Sequence, residues 1–314
     1  MDYRNYVDCS NYVKQTYKNM FENQTLDYVT TLVNNNCNIK TYEIKYIIDK
    51  QNEIYDESDP DTEQCQIIHA YQTAESINMR YFNDNDLKII YIKDLFTTTE
   101  WNQLPDSIIK LYSESNTINN LFFHIKDWKW LQIIGFIHDI GKILVLSEFG
   151  NFPQWSAVGD IYPLGCEFSE SNILYNEKYH MNNNDYSKYD KLGIYQKNCG
   201  LENLYMTFSH DYYLYQILKQ SDHKIPDEGL YMIRFHSFYA WHTPRNEYRG
   251  YTYFANEYDW KMLPLLKMLQ NSDLYSKINI LPDIPKLNKK YFKLLQEYQL
   301  NKLNMPIYSY LLNK

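Results

Sequence analysis

Residues 131–144 read LQIIGFIHDIGKIL, with His138 and Asp139 side by side in an apolar run and Lys142 shortly after. The apolar spacing is helical, so the stretch predicts a buried core helix. Polar groups placed there lose their water, and an unpartnered ion in such a place costs on the order of several kcal/mol. A bound metal ion is the simplest partner for the pair. In a helix the two side chains point about 100° apart, so they reach one cation from neighbouring directions, or the carboxylate bridges two. Lys142, four residues after His138, is expected on the same face. An ammonium cannot ligate a metal, so its expected role is toward an oxygen of whatever the metal binds.

Outward from this stretch, helical period recurs at 9–33, 61–80, 101–113, 127–148, 201–220, 227–241, 257–275 and 287–300, while strand-like alternation is scarce. The expected fold is therefore all-α, or mostly helical with minor β. With no repeat and no Pro/Ser-rich linker, residues 1–314 are expected to form a single catalytic domain, with segment 1–55 packing on or covering its core. Between Glu148 and Gly200 lies a long stretch rich in Gly, Pro and Asn. Because it begins beside the His-Asp pair, a partly ordered covering segment is the expectation. The helix near the carboxyl terminus is amphipathic, with its charges on a solvated face.

Composition excludes several classes. The net charge is −8 and no Lys/Arg cluster resembles a phosphate-backbone footprint, so nucleic acid is not an expected partner. The polar amino terminus lacks the apolar run of a signal peptide. The longest apolar run is interrupted by His138, Asp139 and Lys142, so no membrane association is expected. Five scattered cysteines, never in a CxxC, suggest reduced thiols in a cytoplasmic protein rather than a disulfide frame or thiolate zinc site. A monomer is the expectation. Tyr contributes 33 residues, so many apolar faces must be built from rings carrying a hydroxyl.

Of eight histidines, four share a setting on apolar or aromatic helical stretches: His69, His138, His210 and His236. With Asp139 and Asp273 they suggest a shared polar centre. Four imidazoles and two carboxylates exceed what one metal needs, so the count suggests two metals. Histidine-rich, thiolate-free ligation suits iron, with manganese or zinc open on ligand type alone. Glu177-x-x-His180 matches the Glu-x-x-His of di-iron bundles but lies in the Asn-rich loop without a second copy. Asp211, in a second His-Asp doublet at 210–211, reads either as a partner supporting a ligand from behind or as a helix-face carboxylate, with the second favoured. His124, His223 and His242 have no evident acidic partner and read as structural or exposed.

The order His69, His138-Asp139, Asp273 is similar to the H…HD…D pattern of the HD-domain superfamily, a helical fold of metal-dependent phosphohydrolases. The surrounding text is more specific: RNY at 4–6, NQTLDYV at 23–29, DESDPD at 56–61, HAYQTAE at 69–75, HDIGK at 138–142, QWSAVGD at 154–160, HD at 210–211, MIRFHSFYAWH at 232–242 and DLYSK at 273–277. Over nearly its whole length the chain resembles the myo-inositol oxygenase family.

The resemblance implies an HD-domain-like helical bundle holding two iron ions in a mixed-valent Fe(II)/Fe(III) state. It implies that myo-inositol is cleaved with dioxygen as co-substrate to D-glucuronate and water, a step of inositol catabolism. By that likeness His69, His138, Asp139 and Asp273 hold one iron, and Asp139, His210 and His236 the other. Lys142 is the catalytic contact to substrate, and Arg4, Asp56, Glu57, Ser58, Gly159, Asp160, Ser237 and Lys277 line the polyol pocket. The alternative is an HD-type phosphohydrolase that activates water against a phosphate. That activity needs basic residues, and few beyond Lys142 and Lys277 lie near the motifs.

Overall fold

The stretch 131–144 does lie at the centre of the molecule. The computed structural model describes residues 6, 8–34, 37–60, 64–243, 249–274 and 282–308. Its main helices are α1 (Asn11–Asn23), α2 (Gln66–Tyr81), α3 (Trp130–Ile137), α4 (His210–Lys219), α5 (Asp227–Phe235), α6 (Glu257–Asp273) and α7 (Ile284–Glu297). Every residue of α3 is buried, as expected of a helix that is apolar all round. Against it pack α2, α5 and α7, while α6 packs on α2 and α5, and α4 on α5. Gly135 lets α3 approach α2 closely, since a Cβ there would stand 2.5 Å from Ile77 Cδ1 and 3.2 Å from Ala74 Cα. The mostly helical expectation holds, and the arrangement is consistent with an HD-like helical fold.

Strands are few. Strand β1 (Asn38–Glu43) pairs antiparallel with β2 (Lys302–Ile307) in the register Asn38↔Ile307, tying the two ends of the described chain together. Phe82–Asn83 and Asp86–Leu87 form a short hairpin after α2. No single helix among the described residues is long and apolar enough to cross a membrane. All five cysteines are unpaired.

The helical spans read from periodicity overshoot, each for an identifiable reason. The span 9–33 breaks at Gln24, whose side chain accepts from Phe208 N at 2.8 Å and donates to Phe208 O at 2.8 Å. The span 101–113 breaks before Pro105, which disfavours helix at the residue preceding it. Residues 205–207 pair with 162–164 instead of extending α4 backwards. The 148–200 segment is ordered: Ala157, Val158, Ile161 and Tyr162 are buried, and α1 packs over it through Phe21, whose ring lies 5.5 Å from that of Tyr162.

Several buried tyrosine hydroxyls find partners, although that of Tyr213 finds none among the described residues. Tyr231 donates to Asp259 at 2.8 Å and Tyr291 to Glu75 at 2.6 Å. Pro264 sits inside α6 and has no N–H for the carbonyl of Trp260, and Tyr112 donates its hydroxyl to that carbonyl instead.

A second buried ionic contact joins α6 to the turn before it in space: Lys267, 2% exposed, donates to the carboxylate of Glu100, itself 7% exposed. Burial pushes the Glu100 carboxyl up, but Lys267 and the hydrogen bond from Thr97 hold it below its ordinary value. Glu100→Gln leaves Lys267, whose pKa burial already pulls down to about 8, without its counter-charge, so the variant is expected to be destabilised by about 3–5 kcal/mol as long as that amine stays protonated. A carboxyl whose pKa is lowered on folding contributes stability above its unfolded pKa and loses it as pH falls through the folded one. Urea unfolding should therefore show the gap between wild type and variant narrowing below about pH 4.5, and also as pH rises toward about 8, where the unpaired Lys267 sheds its proton first.

Candidate metal centre

Four of the main helices carry a centre residue at one end. His138 caps the carboxyl end of α3, His210 opens α4, His236 caps the carboxyl end of α5, and Asp273 closes α6. His69 lies in the first turn of α2. The structure thus brings together all six residues singled out in the sequence, and each is at least nine-tenths buried.

Asp139 stands at the middle with its two oxygens facing opposite ways. Its Oδ2 lies 3.4 Å from His138 Nε2 and 3.6 Å from His69 Nε2, whereas Oδ1 lies 3.4 Å from His210 Nε2 and 3.7 Å from His236 Nε2. Asp273 Oδ1 completes the first side, 2.7 Å from His69 Nε2 and 3.5 Å from His138 Nε2. Tyr239 donates to the other oxygen of Asp273 at 3.2 Å.

The imidazoles are prepared as donors of lone pairs. His138 Nδ1 lies 2.9 Å from Gly135 O, His210 Nδ1 2.8 Å from Ala157 O and His236 Nδ1 2.9 Å from Ile233 O. A carbonyl only accepts, so each Nδ1 carries the proton and each Nε2 turns a lone pair inward. Two such nitrogens, on His210 and His236, face each other at 3.2 Å, which needs a positive centre between them or a proton on one. Burial pulls the His236 pKa down, but Asp211 and Asp139 outweigh it and raise the value to about 9. Metal binding must displace that proton. The carboxylates are ready: against burial, His138 and Lys142 hold Asp139, and His138 and His69 hold Asp273, well below the ordinary range. Three imidazoles whose Nδ1 is taken by a carbonyl, a fourth facing a carboxylate, and two ionised carboxylates fit a metal ion, and the groups His69–His138–Asp273, His138–Asp139–His236 and His210–Asp211–His236 are each compact enough to hold one.

Two family comparisons bear on this centre. The family model described as myo-inositol oxygenase matches residues 10–103 and 103–305. The chain is 36% identical to inositol oxygenase of Dictyostelium discoideum over 96% of this chain and 89% of that protein. It is 36% identical to the Danio rerio inositol oxygenase over 95% and 91%, and 33% identical to the Homo sapiens one over 90% and 83%. The chain belongs to the myo-inositol oxygenase family.

In this family member Lys142 departs from its expected place. The α-helix stops at Ile137, Asp139 takes φ −96° and ψ 1°, and Ile140–Val145 continues as a 3₁₀-helix. Residues three apart eclipse in a 3₁₀-helix, so Lys142 lies over Asp139 rather than His138. Its Nζ is 2.8 Å from Asp139 Oδ2, 2.7 Å from Asp56 Oδ2 and 3.1 Å from Gln66 Oε1. Burial pulls its pKa down, but Asp139 and Asp56 push it above its ordinary value, so it stays an ammonium.

Over the centre lies an open cavity, about 400 Å³ with its solvent-filled mouth included, whose lining contains Asp56, Ser58, Gly159, Asp160, Ser237 and Lys142. Glu57 is placed elsewhere, accepting from Thr16 Oγ1 at 3.5 Å on α1. Arg4 and Lys277 lie outside the described residues. Sequence reasoning missed Tyr6, Tyr17 and Tyr239, which also line the cavity, because among 33 tyrosines nothing marks them. Tyr17 donates to Asp160 Oδ1 at 3.0 Å. Asp59 was visible within DESDPD.

Asp211 corrects the reading of a helix-face carboxylate: it is fully buried, 3.0 Å from His210 Nε2. His124 is likewise not without a partner, lying 2.7 Å from Glu228. His242 is buried, with Nε2 2.8 Å from His236 O. The Glu177-x-x-His180 match is not a centre, since Glu177 is exposed and His180 stacks on Phe168 at 4.5 Å. That ring lines a larger cavity, about 820 Å³, which shares no lining residue with the first and holds no His-carboxylate cluster.

Gly141 touches α4: a Cβ there would stand 2.1 Å from His210 O. Gly141→Ala must push His210 off its position. The expected outcome is a loss of about 3 kcal/mol or more in thermal unfolding, together with weakened metal binding in equilibrium dialysis.

Proposed function

We propose that this chain is an inositol oxygenase that opens the ring of myo-inositol between C1 and C6 with dioxygen, giving D-glucuronate and water. His69, His138, Asp139 and Asp273 would hold one iron, and Asp139, His210 and His236 the other. The division of Asp139 between two pairs of imidazoles supports this assignment. Bound there in a mixed-valent Fe(II)/Fe(III) state, the irons would supply the electron for dioxygen and the Lewis acidity that acidifies a substrate hydroxyl.

The observation that carries the reading is the lining of the cavity. Among the described residues it presents five carboxylates, the hydroxyls of Tyr6, Tyr17, Ser58, Ser237 and Tyr239, and one Lys or Arg side chain, Lys142. That ammonium is already paired with Asp56 and Asp139. With the metals proposed here counted the lining is close to neutral, and among the described residues Lys142 is its one cationic side chain to hold a phosphate, whereas a neutral polyol meets acceptors and donors suited to its hydroxyls. This argues against the phosphohydrolase alternative.

The chain's own residues divide the work. Asp56, held in place by Ser58 N–H and Oγ at 2.8 and 2.6 Å, and Asp160, held by Tyr17, accept from substrate hydroxyls. Gly159, at φ +87°, brings the backbone close beside them. Lys142 exchanges its neutral acceptor Gln66 for a substrate oxygen and steadies negative charge developing there. Tyr6, Tyr17, Gly159 and Asp160 wall one side of the cavity and so limit the access of bulk water to the centre. One contiguous apolar core running from Tyr6 to Tyr308 supports treating residues 1–314 as one catalytic unit, and the motif text RNY at 4–6 and DLYSK at 273–277 supports Arg4 and Lys277 as further contacts to the polyol.

Iron-loaded protein should consume one dioxygen per D-glucuronate formed, and only when myo-inositol is present. Phosphate release from nucleotides without oxygen uptake would replace this reading with the hydrolase. Lys142→Ala should keep its iron by elemental analysis while turnover falls on the order of 10²-fold. Unchanged steady-state kinetics would remove Lys142 from its role.

A further inference from the structure

Asp211 is fully buried, does not line the cavity and stands outside the two ligand sets proposed above, although it lies close enough to His210 and His236 for the three to hold an ion. Its Oδ2 accepts from Ser237 N–H at 3.1 Å and stands 3.5 Å from His236 Nδ1; its Oδ1 is 3.0 Å from His210 Nε2. The Ser237 contact falls where α5 has ended and Tyr239–His242 begins, so the carboxylate takes an amide that the helix no longer uses. From the opposite side His242 contacts the His236 carbonyl at 2.8 Å. His236 thus has a buried carboxylate beside its ring edge and a buried imidazole on its backbone carbonyl, neither of which lines the cavity.

We propose that Asp211 is a positioning residue: it fixes the ring of His236 and the backbone of Ser237, and so tunes one half of the two-metal centre while sparing the other. This rests on the two-metal reading above. The His236 Nδ1–H goes to Ile233 O, so Asp211 acts on the ring by its charge at 3.5 Å and on the backbone through the Ser237 amide; a carboxylate so placed strengthens a ligating imidazole as a donor, and removing such an outer partner typically costs roughly 10- to 100-fold in metal affinity. The side held by His69, His138 and Asp273 has no contact with Asp211 among these, so the effect should be confined to one ion.

The test is a Co²⁺ titration of the full chain, followed by its visible bands, with a His236→Ala variant to mark which binding step belongs to the His210–His236 side. Asp211→Asn keeps the shape and still accepts from Ser237 N–H. It should bind the first ion as wild type does and the second roughly 10- to 100-fold more weakly, with altered bands for that step alone. A second step identical to wild type overturns the proposal. So does equal weakening of both steps with a lowered melting temperature, which marks Asp211 as merely structural, and complete loss of the second, which marks it as a ligand. If wild type itself binds a single ion, the two-metal reading fails and this inference with it.

Discussion

The Asp139 carboxylate, with one oxygen toward His69 and His138 and the other toward His210 and His236, is the contact on which the arrangement of the helices depends. A carboxylate stripped of water must be matched on both oxygens, and one helix cannot supply partners on opposite sides. Matching it draws the ends of α2, α4 and α5 to a single point beside α3, and α6 follows through Asp273.

That demand explains where the helices stop. An apolar helix continues as long as its backbone groups pair internally, and the periodic sequence around His138 or His236 offers no breaker. At Asp139 the chain tightens into a 3₁₀ turn, and at Ser237 the amide is taken by Asp211. Both departures aim side chains that a straight helix would spread over its circumference. Gly141 is part of the same solution, since only the absence of a Cβ admits the His210 backbone beside that turn. The charges are also resolved locally. Lys142 offsets Asp139 and Asp56 at the mouth, and Asp211 and His242 support His236 from behind. A polar centre of this size persists in an apolar interior because each group in it has a partner within a few ångströms.

The legible part of this protein was carried by residue types whose burial is costly. His69, His138, Asp139, His210, His236 and Asp273 stood out because imidazoles and carboxylates on apolar helices need an explanation. Asp56, Ser58, Gly159, Asp160 and Ser237 followed from motif text, and the cavity contains all of them. Tyr6, Tyr17 and Tyr239 were illegible because tyrosine is everywhere in the chain and serves equally well in its core. Asp211 was visible as a doublet, but a carboxylate on a helix is usually solvated, and spacing alone does not say which face is buried.

The amino-acid sequence by itself determined the helical class and the family, and it named the chemistry of the centre, because periodicity and costly polar residues are properties of local text. Tertiary structure alone decided which oxygen of Asp139 faces which imidazoles, that Lys142 pairs with Asp139 and Asp56, that Glu57 turns to α1, and that Asp211 stands behind His236. Those outcomes depend on where helices end and how closely they approach. Both are set by contacts between residues more than 20 positions apart, which no local pattern encodes.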